Sequence, residues 1–279
     1  MNIIRKIKYT WNDLKKIYQI NKCLPGIIKD SGIQNGLSYI KLTNNKIFYG
    51  PRNNSGFKYS FLLLPKIRRY VSNESSYILF DIIKRYKVPN KKRDVKYGKY
   101  YNFNKDDVIL ELGAYIGYYA IGISELLSDQ GKIIAVEASP DNFKILNKNI
   151  SENKINNIIP LHKAIWNKKT ELDFYLTENQ KNSVNKYIVG DNESIKVSAD
   201  TVDNIVKDLN LTKIDFVRIQ LNGVEYEALQ GMSNVLINKK PKLLIAVPYI
   251  NDEIIKKFLE SHGYTYIMQR RNIFAYYNN

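Results

Sequence analysis

From residue 106 onward, short apolar runs alternate with stretches whose apolar positions recur every three or four residues. The first pattern predicts buried strands and the second predicts amphipathic helices. In order, it predicts a strand at 108–112, a helix at 116–127, a turn at 128–131 and a strand at 132–136 ending in Glu137. A helix at 140–151 follows, with Ser139 placed to cap it and Pro140 at its first position. The run at 158–165 predicts a third strand. Segments 171–176 and 194–198 predict two antiparallel strands around a polar loop, 177–193. The rest predicts a helix at 200–209, a strand at 214–219, a helix at 223–236, a strand at 243–247 and a helix at 252–262 stopped by Gly263. A hairpin of 264–268 with 272–276 closes the chain. Strands alternating with helices argue for an α/β, doubly wound, mostly parallel sheet, which the terminal antiparallel hairpin makes mixed.

The first hundred residues are patterned differently. Ile3, Ile4, Ile7, Trp11, Leu14, Ile17 and Tyr18 have helical spacing, with Lys and Arg between them. They predict an amphipathic helix that packs on the body of the protein or lies on a membrane surface. Runs 37–42 and 46–49 flank Asn44-Asn45 and predict a hairpin. Residues 59–70 and 76–86 predict helices, with Pro65 breaking the first. Segment 84–99 is dense in Lys and Arg, with Lys91-Lys92-Arg93 in a row and Tyr86, Tyr97, Tyr100 and Tyr101 nearby. Such a mixture is either a solvated loop or a surface for phosphate or nucleic acid.

Charge separates the same two regions. The net charge is +16, but residues 1–100 carry +17 and residues 101–279 carry −1. We therefore expect a basic N-terminal region, 1–100, for substrate or surface binding, and a second domain, 101–279, for the chemistry. Cys23 is the only cysteine, which excludes an internal disulfide and argues against a cysteine zinc site. No run approaches the ~18–20 apolar residues of a membrane span. Residues 1–20 lack the apolar centre of a secretory signal. A cytoplasmic protein, with peripheral contact at the inner membrane face, is the expectation.

The chemistry is centred on Val108–Gly117, where an apolar strand runs into a turn spaced Glu111-x-Gly113-x-x-x-Gly117. A second acid, Glu137, ends the next strand. Adjacent strand ends in a doubly wound sheet face one crevice, and a carboxylate there can accept from both hydroxyls of a ribose. The turn has neither the G-x-G-x-x-G spacing nor the Lys and Ser/Thr of a phosphate-cradling loop. The ligand should carry a ribose without needing a pyrophosphate, a description that S-adenosylmethionine fits. Glu111 could face its cationic side.

These residues resemble the FkbM-type S-adenosylmethionine-dependent methyltransferases. The resemblance rests on Leu110-Glu111-Leu112-Gly113-Ala114-Tyr115-Ile116-Gly117, Val136-Glu137-Ala138-Ser139-Pro140, Lys163-Ala164-Ile165-Trp166, Thr201-Val202-Asp203 and the block from Ile214 to Glu225. It covers about 105–276 and leaves out residues 1–100. It implies a class I methyltransferase (Rossmann-like) sheet with the cofactor over the ends of its first strands. Glu111, Gly113, Ala114, Tyr115 and Gly117 would then form the cofactor turn. Glu137 would hold the ribose, Ala138 would lie by the adenine, and Ala164 and Ile165 would line its other side. Gln220, Asn222 and Glu225 would face the methyl group and acceptor. No metal is implied.

The chain also departs from the family's pattern. Members commonly have Asp at the position of Gln220, Glu at that of Asn222, and an acid and a His near residues 246–248, where this chain has neither. A hydroxyl acceptor must lose its proton, and Glu225 is the carboxylate left to take it. His162 and His262 read as structural, the latter beside a helix end. The resulting expectation is an O-methyltransferase acting on a hydroxyl of a sugar, glycolipid or related polyol, with the basic N-terminal region suited to an acceptor that bears phosphate. The alternatives are an RNA methyltransferase, which would explain the charge, and a non-catalytic nucleoside-binding descendant, which would explain Gln220 and Asn222.

Overall fold

The computed structural model describes residues 28–51, 101–176, 182–185, 193–247, 252–269 and 271–277. The helices expected at 1–20, 59–70 and 76–86 and the basic segment 84–99 lie outside the described residues. The chain divides into two compact units, Met1–Asn90 and Lys91–Asn279.

In the first unit, β1 (Ile28–Gln34), β2 (Leu37–Leu42) and β3 (Ile47–Pro51) form an antiparallel meander. The β2–β3 hairpin turns at Asn44-Asn45 as the pattern predicts, with Asn45 at φ 65°. The pattern did not predict β1, because Lys29, Asp30 and Gln34 face solvent and hide the alternation. Its signal was Asn35-Gly36, whose φ values of 50° and 77° are those of a two-residue hairpin turn.

The second unit is built on a seven-stranded sheet. Its elements are β4 (Val108–Leu112), α1 (Tyr118–Ser124), β5 (Lys132–Glu137), α2 (Pro140–Glu152) and β6 (Ile158–His162), then β7 (Ala164–Ile165), β8 (Thr170–Tyr175), β9 (Ser194–Asp200) and α3 (Val202–Asp208). β10 (Phe216–Ile219), α4 (Glu225–Gln230), α5 (Ser233–Lys239), β11 (Lys242–Ala246), α6 (Asp252–Ser261), β12 (Tyr264–Gln269) and β13 (Asn272–Tyr277) complete it. The strand order is β12-β13-β11-β10-β4-β5-β6. β13 is antiparallel to both of its neighbours, whereas β11, β10, β4, β5 and β6 pair in parallel. This is the mixed, mostly parallel α/β sheet that the family resemblance implies.

Every residue of β4 and β10 is buried, as expected of strands covered on both faces. Alternate side chains go to opposite sides. Val108, Leu110, Leu112, Val217, Ile219, Leu243 and Ile245 join the main core with Val202, Ile205, Leu229, Leu236 and Leu259 from the later helices. The intervening residues, including Glu111, Ala135, Glu137 and Arg218, therefore share the other face, and Tyr119 of α1 covers that face at Arg218.

Two elements differ from the sequence pattern. The run at 158–165 is two strands in two sheets. β6 pairs with β5, whereas Ala164 and Ile165 pair with Ala199 and Asp200 of β9 in a separate β7-β9-β8 sheet. The switch falls at Lys163, whose ammonium binds Asp200 at 2.6 Å. The helix expected at 223–236 is broken at Gly231-Met232. The Trp166 carbonyl occupies the place a Gly231 Cβ would take. The Asp203 N–H donates to the Gly231 carbonyl at 3.0 Å, diverting it from the helix. The Asp203 carboxylate then accepts from the N–H groups of Asn234 and Val235, capping α5 from another element.

Candidate functional site

The turn after β4 is shaped by two backbone contacts. Gly113 and Ala114 both donate to the Val136 carbonyl at 2.9 Å, drawing the turn against the end of β5. Gly113 has φ 82°, and a Cβ there would overlap the carbonyl oxygen of Gln220 at the end of β10. Glycine is thus required twice over, by conformation and by space. Tyr115 and Gly117 also have positive φ, 57° and 89°. α2 steadies the turn from behind, where Asn149 Nδ2 donates to the Ile116 carbonyl at 2.8 Å.

Glu137 lies beside this turn. Its Oε2 accepts the Tyr115 N–H at 2.8 Å and its Oε1 accepts the Ser139 N–H at 2.9 Å. Burial pushes its carboxyl up to about 7, even though these N–H groups favour the charged form. Asn142 Nδ2 adds a longer contact to Oε1 at 3.5 Å, and a carboxylate, with about four acceptor positions, keeps room for a hydroxyl. Ala138 packs against the small cluster that contains Ala164 and Ala199, while Ile165 belongs to the main core. Ala138 and Ala164 thus stand close together at the sheet end, although Ala164 is on β7 and not on the third parallel strand.

The pleat puts Glu111 and Arg218 side by side in the β4–β10 register. Arg218 Nη1 donates to Glu111 Oε1 at 3.0 Å, with side chains 6% and 1% exposed. Its Nη2 donates to Gln220 Oε1, and its guanidinium lies 4.1 Å from the centre of the Tyr119 ring. Glu111 is therefore a buried, ion-paired residue. Sequence reasoning gave Arg218 no role. Its signal was a lone cation in an apolar strand, which has to find a partner when buried.

The other residues expected on the acceptor side are engaged by backbone. Glu225 is 3% exposed. Its Oε1 and Oε2 accept the N–H groups of Leu221 and Gly223 at 3.0 and 2.9 Å. Burial raises its pKa, the N–H groups opposing. It staples the turn that leads into α4. Asn222, at φ 56°, donates through Nδ2 to the Asn182 carbonyl at 3.1 Å. Ser183 Oγ donates to the Asn222 carbonyl at 3.0 Å, and Asn185 Nδ2 to the Gly223 carbonyl at 3.3 Å. These bonds clasp segment 182–185 to the 222–223 turn. An amide suits position 222 twice, because asparagine tolerates positive φ and a carboxylate could not donate to a carbonyl.

The histidines have local partners. His162 stacks on Phe143 with Nε2 3.2 Å from the Ala138 carbonyl, and His262 stacks on Phe258 with Nδ1 2.8 Å from its carbonyl. Among the described residues, no three His, Cys, Asp or Glu side chains converge as a metal site requires.

Known proteins resemble this chain. The Methyltransferase FkbM domain model matches residues 111–266, more than half of the chain. A curated relative, the hexuronic acid methyltransferase AglP of Haloferax volcanii, is 27% identical over 132 residues, which are 47% of this chain and 52% of the relative. The chain thus spans about half the length of that relative. Among solved structures, the methyltransferase FkbM of Methylobacillus flagellatus is 14% identical with a TM-score of 0.49, covering 74% of this chain and 54% of that one. A fibrillarin of Aeropyrum pernix, solved with natively bound S-adenosyl-L-methionine, is 13% identical with a TM-score of 0.43, covering 89% and 98%. On the extent of the domain match, the chain belongs to the FkbM methyltransferase family.

Proposed function

We propose that this protein is an S-adenosylmethionine-dependent O-methyltransferase whose acceptor is a hydroxyl of a sugar or sugar-containing lipid. The observation that carries the reading is the pairing of the Gly113 turn with Glu137. A tight turn and a carboxylate stand at neighbouring strand ends, and both oxygens of that carboxylate are oriented by backbone N–H groups. The carboxylate can accept from a ribose hydroxyl, and the small side chains of Ala138 and Ala164 leave space for a flat base. Family membership supports the reaction class. The hexuronic acid specificity of AglP supports a sugar acceptor.

When bound, S-adenosylmethionine supplies a methyl group already activated as a sulfonium. The protein's contribution is positional. Glu137 would hold the ribose, the turn at 113–117 would hold the amino acid portion, and the ends of β4 and β10 would hold the acceptor. Holding two reactants in register supplies much of the rate in such a transfer. The basic region, residues 1–100, would recruit an acceptor bearing phosphate or an anionic membrane face. No helix among the described residues is long and apolar enough to cross a membrane.

A second reading, cofactor binding without turnover, is favoured by the engagement of Glu225. Both of its oxygens are held by backbone N–H groups, so it serves the turn and is poorly placed to take a proton. Incubation with isotopically labelled S-adenosylmethionine and separate glycan, lipid and RNA fractions distinguishes the readings. Label in the glycan or glycolipid fraction is the expected result. Label in RNA alone overturns the acceptor. Calorimetric binding of cofactor with no transfer to any fraction establishes the second reading.

A further inference from the structure

The residue at the end of β10 is Gln220, and its amide has a fixed direction. An arginine carries only N–H donors, so the atom that meets Arg218 Nη2 must be the amide oxygen. Arg218 is itself held in place. It is buried, ion-paired to Glu111 at 3.0 Å and stacked on Tyr119. The amide cannot flip without facing two N–H2 groups at one another. The Gln220 NH2 is therefore the group that faces away from the Arg218 network. Gln220 is half-buried and stands where its carbonyl abuts Gly113, at the junction of the cofactor turn and the end of β10.

We propose that Gln220 is a specificity-determining hydrogen-bond donor, aimed by Arg218 at a carboxylate of the acceptor sugar. The proposal rests on the sugar methyltransferase reading above and adds the class of sugar, a uronic acid or similarly anionic one. The charges around the position support it. Glu111 is neutralised by Arg218, Glu225 is enclosed by its own turn, and Glu137 is enclosed by Tyr115 and Ser139. Among the described residues, these three carboxylates are each engaged by their own partners, and a carboxylate brought to the end of β10 meets the Gln220 donor. An acid at position 220 would instead share Arg218 with Glu111 and turn its second oxygen on the acceptor, where it would accept from a hydroxyl and repel a carboxylate.

The test uses the full chain and two probes that differ only at C6, p-nitrophenyl glucuronide and p-nitrophenyl glucoside. Methyl transfer and saturation-transfer NMR binding are measured for the protein loaded with S-adenosylmethionine or S-adenosylhomocysteine, respectively. The wild type should prefer the glucuronide. Gln220→Glu should lose roughly 10–150-fold on the glucuronide, the worth of one hydrogen bond to a charged group, mainly in KM, with the glucoside unchanged or improved. Gln220→Ala should weaken the glucuronide alone. Cofactor binding should be unchanged in both variants, which separates the effect from a folding defect. An unaltered glucuronide-to-glucoside ratio in Gln220→Glu overturns the proposal, as does wild-type binding of neither sugar. Glucuronide binding that depends on Gln220, without methyl transfer, would sustain this inference and refute the enzymatic reading.

Discussion

Replacing Arg218 with methionine tests the buried pair at the centre of the site. Glu111 and Arg218 have side chains only 1% and 6% exposed, and they meet at 3.0 Å. Methionine approximates the apolar stem of arginine, so little volume is lost and the perturbation is chiefly electrostatic. It leaves the Glu111 carboxylate buried without its cation, a defect that costs about 3–5 kcal/mol in comparable pairs. The lost stacking on Tyr119 adds about 1 kcal/mol. For a domain of this size, about 4–6 kcal/mol corresponds to a fall in Tm of roughly 8–24 °C. Urea unfolding followed by circular dichroism, together with scanning calorimetry, measures the change. The double variant Glu111→Leu/Arg218→Met removes both charges, and it should recover most of the loss, because an apolar pair has no desolvation to offset. A single variant within 1 kcal/mol of wild type would refute the reasoning. So would a double variant no more stable than Arg218→Met.

Glu137 makes stability and cofactor affinity respond oppositely to pH. Its carboxyl is pushed up to about 7 from an ordinary 4.5, so the folded protein keeps a proton that the unfolded chain has released. This contribution to stability is fully present below about 4.5 and is lost as pH rises through 7, a ceiling of about 3 kcal/mol. Ribose hydroxyls favour the charged form, so calorimetric affinity for S-adenosylmethionine should fall by up to about tenfold per unit below pH 7; Glu137→Gln, with both trends intact, would exclude this origin. Gly113→Ala should abolish soluble expression or cofactor binding, since its Cβ meets the Gln220 carbonyl and φ is 82°; wild-type affinity in that variant would contradict the described turn. Asn222→Asp keeps the shape and the tolerance of positive φ but removes the donor to Asn182. It should accelerate amide hydrogen exchange at Ser183 and Asn185 about tenfold or more while changing global stability by less than about 1 kcal/mol, and unchanged exchange would show that the clasp has no energetic weight.

The alternation of apolar runs and helical spacing, together with the turn Glu111-x-Gly113-x-x-x-Gly117, was enough to predict the doubly wound sheet, its antiparallel hairpin and the turn that follows β4. These features are local. Each strand shows its burial in its own residues, and Gly113 announces a conformation that few other residues adopt. What the side chains do in the crevice is not local. Glu111 and Arg218 are 107 positions apart and meet only because β4 and β10 pair in register. Asp203 ends α4 and starts α5 by reaching as far as 32 positions along the chain. Asn222 makes sense as an amide only once segment 182–185 lies against it. The sequence alone determined the scaffold and the glycine turn after β4, because propensity and periodicity act over a few residues. Tertiary structure alone decided which charges are paired, which carboxylates are spent on backbone N–H groups and which way the Gln220 amide points, because a buried polar group is defined by its partners in space.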